Sequence, residues 1–300
     1  MYAVGDGGLV LHFDGDDWEP LTTPTTEELV AISGDSDSPT DFWVSGRRNT
    51  ILRWNGVAFE NEDPNNEVNL TGLTQRILSV HRDGADLVAT TNARGTWFKR
   101  GTWHRVRKPN GSSRWNRLFT LTPGGTLFAA GSNGSENDGG GFRLSDSILT
   151  EYPDDSGLTG AGNVAWASND GDVYGYFGSS LKRFTGATWL DLTGSPDSPT
   201  SIWAEAEDNV YVTSSDGRAH RYNGSSWTEI GGVTAVNAVW GSGQTVFFVG
   251  KTGTVVDKNG AATTVTSTDG TMYEGDLQGC LLYTSPSPRD ATLSRMPSSA

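Results

Sequence analysis

Short apolar runs punctuate this chain, and glycine-rich breaks separate them. No stretch keeps the three- and four-residue apolar spacing of a long amphipathic helix. A compound pattern recurs instead. Residues 2–18 read YAVGDGGLVLHFDGDDW: an apolar run, a glycine-rich break, a second run ending in an aromatic, an Asp-Gly turn and a tryptophan. Residues 42–59 and 210–227 repeat it. Aligned on the last turn, the copies carry Gly15, Gly56, Gly101, Gly186, Gly224 and Gly260, spaced 41, 45, 85, 38 and 36. The 85 holds two periods, with a degenerate copy near residues 144–147. That makes seven copies.

A second anchor checks the first. A short apolar segment precedes each later copy, at residues 30–34, 77–80, 118–121, 164–167, 201–204 and 238–241. Three of these segments carry Trp166, Trp203 and Trp240, spaced 37 and 37. Each unit therefore reads as four strands. Strand A is small and apolar, B is of the Val-Tyr-Val type, C ends in an aromatic, and D opens with tryptophan. The Asp-Gly and Asn-Gly pairs between C and D suit two-residue hairpins, whose central residues need positive φ.

Four antiparallel strands in about 36–46 residues match one blade of a β-propeller. A single blade cannot bury both faces, so stacked neighbours must supply the core. The expected fold is all-β: a propeller of seven four-stranded blades, with most tryptophans packed between blades. Residues 2–20 provide strands B, C and D of the first blade and no strand A. Residues 266–275 resemble 22–31, so Thr271 to Asp276 is the expected C-terminal strand that closes the first blade. A larger propeller, or two in tandem cut at both ends, is the alternative.

The period stops before residue 280. Residues 280–290 resemble the in-frame translation of a transposase-type sequencing adapter, and 294–300 that of a flow-cell adapter, with 291–293 where a barcode would lie. The expected division is a propeller over 1–279, truncated at both ends as a metagenomic fragment would be. Residues 280–300 are expected to be a non-native, disordered tail that pairs with nothing. Met1 is then an internal methionine, and a signal peptide is not present in this fragment.

The only cysteine, Cys280, lies in that tail, so disulfides and cysteine-held zinc drop out of residues 1–279. Net charge is −14, and −15 without the tail's Arg289, Arg295 and Asp290. An acidic surface disfavours nucleic acid as a partner. No apolar run approaches a membrane span. There are 17 Arg against 5 Lys, and Asp, Thr and Gly abound. This balance suits a halophilic protein, in which net charge maintains solubility; an ordinary acidic surface protein is the alternative.

The pattern V-x-A-V-G-x-x-G-x-[IV]-x-[HR]-[FYW]-[DN]-G-x-x-W resembles uncharacterised surface propellers of haloarchaea and myxobacteria. More distantly it is similar to Asp-box (BNR-like) repeats, although the Ser-x-Asp-x-Gly-x-Thr-Trp spacing is incomplete in every copy. The resemblance covers most of residues 2–276 and implies surface recognition or scaffolding, outside the cell or on its surface. It implies no particular ligand.

Three constellations could carry chemistry. Basic residues recur three before the turn glycine, at His12, Arg53, Arg183 and Arg221. As a ring they would bind an anion; alternatively each has a local carboxylate partner. Two long loops, Glu60 to Thr71 and Ser132 to Gly141, join D to A and B to C, which places them on one propeller face. Their Glu62, Asp63, Asn65, Asn66, Glu136, Asn137 and Asp138 suit sugar hydroxyls or a hard cation. Unselected insertion is the alternative. Finally, Asp35, Asp37 and Asp41 alternate as Ca²⁺ ligands can, without the Gly and Glu of an EF-hand; a solvated turn explains them equally. No other cofactor is expected, and no catalytic residues are assigned. Four histidines form no H-x-x-x-H or H-E-x-x-H pair, and there is no G-x-S-x-G elbow. The expected function is non-catalytic recognition of a glycan or protein partner. The alternative is a carbohydrate-active hydrolase or lyase, which would line the central channel with carboxylates or arginines.

Overall fold

The computed structural model describes residues 1–14, 17–34, 40–62, 76–83, 86–91, 95–105, 119–122, 126–129, 142–145, 148–151, 162–167, 172–185, 188–242, 245–264 and 274–281. Their strands form seven four-stranded antiparallel sheets. The innermost strands are Leu277–Leu281, Leu29–Gly34, Ile77–Asp83, Phe119–Thr122, Gly162–Ala167, Pro199–Ala206 and Val236–Ser242. In that order they define blades 1 to 7. Each touches the innermost strands of the two flanking blades, so the order returns from blade 7 to blade 1. Within a blade, strands B, C and D follow outward in sequence, as in blade 2 with Phe42–Gly46, Ile51–Trp54 and Phe59–Asn61.

The hairpin signals have a direct backbone counterpart. Gly56, Gly101, Gly224 and Gly260 all have positive φ, between 77° and 93°, at the C–D turns. A side group there would be strained, which explains why the period is so visible at this position.

The expected picture of seven like blades closed by Thr271 to Asp276 needs correction. Side-chain packing is described between six blades, whereas blade 4 (Phe119–Thr122, Thr126–Ala129, Phe142–Ser145 and Ile148–Glu151) is described by backbone pairing. The closing strand is Leu277–Leu281, paired with Tyr2–Gly5 through Leu281 to Tyr2, Cys280 to Ala3 and Gly279 to Val4. Residues 274–276 precede it and are not strand. The reason is burial. The inner strand must fill both faces of its blade, and Glu274, Gly275 and Asp276 offer nothing apolar. Leu277, Cys280 and Leu281 are 0%, 5% and 2% exposed. The propeller thus extends past the expected boundary at residue 279 and takes in Cys280 and Leu281. Residues 282–300 lie outside the described residues.

Alternation along the strands distributes these side chains between two cores. Ala3 and Cys280 pack with Ala238, Val249 and Val255 of blade 7. Tyr2, Val4 and Leu281 pack with Leu29, Ile32 and Phe42 of blade 2. Both faces are buried, so strand B reads as an unbroken apolar run rather than an alternating one.

One close approach recurs at the start of the inner strands. The amides of Asp6, Arg47 and Lys251 donate to the carbonyls of Asp276, Glu28 and Ala235 at 3.0, 2.9 and 2.8 Å. Just before each amide sits Gly5, Gly46 or Gly250, where a Cβ would lie 2.0–2.2 Å from that same carbonyl oxygen. These glycines are required by space, since their extended backbone suits any residue. Closure at Asp276 reproduces the junction used inside the chain.

Two measurements test this packing. Leu281→Ala is expected to lower unfolding free energy by about 2–5 kcal/mol, as burial of a core leucine implies. A loss below about 0.5 kcal/mol in urea titration would show that Leu277–Leu281 does not close the sheet. Gly46→Ala is expected to cost about 1–3 kcal/mol or more through the clash with Glu28, and a neutral Gly46→Ala would refute the shared junction.

Candidate functional site

The basic register does not form a ring of open cations. Each member lies opposite an aromatic residue across strands B and C: Tyr2 and His12, Trp43 and Arg53, Tyr174 and Arg183, Tyr211 and Arg221. Each aromatic faces the core shared with the following blade, and its basic partner lies beside it. Tyr2 stacks on His12 at 4.6 Å between ring centroids. Arg53 and Arg221 lie 5.3 and 5.8 Å from the ring centroids of Trp43 and Tyr211, a cation–π arrangement.

Local carboxylates pair with two of the four. Arg53 Nε and Nη2 donate to Asp41 Oδ1 and Oδ2 at 2.8 and 3.2 Å, a two-point pair. The hydrogen bond from Asp41 is the chief influence holding the Arg53 guanidinium above its ordinary pKa. Arg183 pairs with Asp172 at 3.4 Å and with Glu207 of the next blade. Burial, then the charge of the Met1 amine, holds His12 below its ordinary value, against Asp14 and Glu19. Arg221 differs: Asn209 occupies the place of Asp41, and its Oδ1 accepts from Arg221 Nε at 3.1 Å.

The same contacts decide the proposed calcium ligands. Asp35 and Asp37 lie outside the described residues. Asp41 is committed to Arg53 through both oxygens. No group of three or more His, Cys, Asp or Glu positioned for a metal occurs among the described residues.

Of the acidic loop residues, Glu62 is described; Asp63, Asn65, Asn66, Glu136, Asn137 and Asp138 lie outside. Glu62 ties blade 2 to blade 3. Its carboxylate pairs with Lys99 at 2.5 Å and its carbonyl accepts the Trp103 indole N–H at 3.0 Å. Arg47 and Arg48, on the B–C loop of blade 2, pair with Glu28 and Glu27, and Arg76 joins Glu28 at 2.5 Å. These ion pairs stitch the loops at the edge of that face. Arg47 and Arg48 remain 60% and 69% exposed.

The sequence reading missed how the channel is filled. A cavity of ≈ 180 Å³ runs along the inner strands, lined by Ala31, Ser79, His81, Thr200, Ser201 and Gly279, with Trp166 and Trp240 among the larger walls. The two tryptophans meet edge to face at 4.5 Å, although they come from blades 5 and 7. Trp166 also donates its indole N–H to the Ala204 carbonyl at 2.9 Å. Trp203 instead covers Gly241 of blade 7, where a Cβ would lie 2.7 Å from its ring. Hydroxyls and an amide link the inner strands: Thr200 donates to the Asn237 carbonyl at 2.8 Å, and Asn237 to the Leu277 carbonyl at 3.0 Å. The spacing of 37 between tryptophans signalled inter-blade contact, but not which rings reach the channel.

No family model and no curated protein sequence matches this protein. Solved structures do resemble it. The structure of YCF48 bound to D1 peptide aligns with a TM-score of 0.57 at 12% identity, covering 82% of this chain and 85% of that one. The WD40 β-propeller domain of Doa1 gives 0.58 at 11%, covering 82% and 84%. Virginiamycin B lyase from Staphylococcus aureus gives 0.57 at 16%, covering 82% and 89%. At such identities the likeness establishes the fold, and a peptide-bound protein and a lyase share it equally. No helix among the described residues is long and apolar enough to cross a membrane.

The commitment of Asp41 is testable. Asp41→Ala is expected to destabilise the protein by about 1–3 kcal/mol, because Arg53 loses its two-point partner. Melting temperature is expected to be the same in calcium and in chelator. A calcium-dependent rise that Asp41→Ala abolishes would return Asp41 to the role of metal ligand.

Proposed function

We propose that this protein is a recognition propeller that holds a protein partner on the face bearing its D–A and B–C loops, without chemistry. The volume of the channel carries this reading. Clefts that enclose small substrates measure about 300–1,000 Å³, whereas the cavity found along the inner strands among the described residues measures ≈ 180 Å³. With the bore narrowed by Trp166 and Trp240, recognition falls to the rims. The repeat order assigns the two long insertions, residues 60–71 and 132–141, to the D–A and B–C connections, the class of connection that carries the exposed Arg47 and Arg48. Loops on a rigid scaffold vary at little structural cost, and insertions on one face mark the binding face in repeat proteins. The likeness to YCF48, solved with a bound peptide, supports a protein partner. A surface location, and a glycan in place of a protein, extend the same proposal.

The test uses peptide and glycan arrays with the full-length protein and with a variant whose two loops are shortened to tight turns. Specific peptide signals are expected from the full-length protein, falling about tenfold or more in the variant, because a few central contacts dominate such interfaces. Signals that survive loss of both loops would remove the site from this face. Turnover of a bound glycan would instead establish a carbohydrate-active hydrolase or lyase.

A further inference from the structure

The repeat makes one ligand visible by supplying it elsewhere. In blade 2 the guanidinium of Arg53 is filled by a carboxylate of the protein itself, Asp41, through two parallel hydrogen bonds. In blade 5 the equivalent Arg183 takes Asp172 and Glu207. In blade 6 the equivalent Arg221 has the amide of Asn209, which presents one oxygen where Asp41 presents two. Among the described residues Arg221 has no ion pair, and it is exposed.

The surroundings of Arg221 form a cleft. Asn209, Tyr211, Arg221, Ile230, Lys258 and Asn259 line ≈ 300 Å³ between blades 6 and 7. Lys258 and Asn259 belong to the C–D turn of blade 7, so a second cation faces the same space. Four neighbouring carboxylates are engaged in other bonds. Glu205 accepts from Asn209 Nδ2 at 2.8 Å and forms no ion pair with Arg221. Asp257 accepts from the amides of Asn259 and Ala261 within its own turn, at 2.8 and 2.9 Å. Glu207 is taken by Arg183, and Glu229 by Arg218 at 3.0 Å.

We propose that this cleft between blades 6 and 7 is a carboxylate-binding site, in which an acidic residue or the terminal α-carboxylate of a partner supplies beside Asn209 the negative charge that Asp41 supplies in blade 2. Arg221 donates to the incoming group from Nη1 and Nη2, its Nε being held by Asn209 Oδ1, and Lys258 lines the same space. A planar guanidinium matches a carboxylate better than it does a point anion. Asn209 and Lys258 lie at an A–B and a C–D turn, not at the D–A and B–C connections of the proposed function, so the two tests are independent.

The experiment follows the Arg221 Nε–H signal by NMR in the full-length protein, assigned through its loss in Arg221→Gln. The probes are sodium acetate, a capped peptide with one central glutamate, and a glycine peptide with a free C-terminus. Sodium chloride serves at matched ionic strength. A saturable shift with carboxylate probes and none with chloride is expected, and the tighter peptide identifies the source. The double variant Glu205→Gln with Asn209→Asp supplies an internal carboxylate and keeps a hydrogen bond between those two positions. It should remain folded and bind about ten- to a hundredfold more weakly, the worth of a charged hydrogen-bonded pair. Undiminished binding by that folded variant would overturn the proposal. So would a response indistinguishable from that to chloride, or a stronger one to phosphate than to acetate.

Discussion

The pairing of Leu277–Leu281 with Tyr2–Gly5 is the interaction on which the other blades depend. Each blade presents apolar side chains on both faces, so an end blade without a neighbour would expose a core rather than a surface. An unpaired Tyr2–Gly5 would also leave a row of open backbone donors and acceptors. One strand solves both problems. Cys280 looks into the core shared with blade 7 and Leu281 into the core shared with blade 2. The entropy cost of joining the two ends rises only slowly with loop length. The repeated junction at Asp276, Glu28 and Ala235 shows that this closure uses the geometry already built within the ring.

Charge is organised by the same geometry. The protein is strongly acidic, yet most arginines whose side chains are described pair within or between neighbouring blades. Arg53 sits over Trp43 beside Asp41, and Arg183 bridges to Glu207 of the next blade. Between blades 2 and 3, Glu62 reaches Lys99. These pairs lie at the outer part of the inter-blade clefts, where water screens the single contacts most and the two-point Arg53–Asp41 pair contributes more. Their consistent position suits a role in fixing how one blade registers against the next. The aromatic residue opposite each base provides the apolar floor, so the base covers a ring while its charge stays near solvent.

The periodic part of the fold could be read directly from the sequence because it depends on local requirements. Gly56, Gly101, Gly224 and Gly260 need positive φ, and an inner strand needs small apolar residues. The closing strand was placed too early because residues 266–275 resemble 22–31 in composition. What fixes the strand is burial at Leu277, Cys280 and Leu281, a long-range demand with no local signature. The adapter resemblance also drew the expected boundary between Gly279 and Cys280, through a strand that pairs on both sides of it. At the candidate sites, side-chain partners were the missing information. Sequence spacing brought Arg53 and Asp41 to notice separately, one as an anion ligand and the other as a metal ligand. In space each is the other's partner, which accounts for both. The tryptophan spacing likewise announced a shared role for Trp166, Trp203 and Trp240, whereas Trp203 packs on Gly241 and the other two meet across the channel.

In a protein built from repeats, the informative residues are those that break a pattern whose purpose is known. A basic residue beside an aromatic would mean little in isolation, and most such residues on an acidic surface find a carboxylate. Here the repeat supplies its own control. Arg53 shows what the position does when satisfied, and Asn209 marks the blade where that satisfaction has been withdrawn. An asparagine conserves the shape of Asp41 and one of its hydrogen bonds while removing its charge. The substitution therefore alters the electrostatics of the cleft without disturbing the packing around it. At residue 209 the amide also donates to Glu205 at 2.8 Å, a bond that an aspartate would replace with like-charge repulsion. The asparagine thus gives Arg221 a neutral oxygen, and in the proposed site the carboxylate that pairs with its guanidinium comes from a partner.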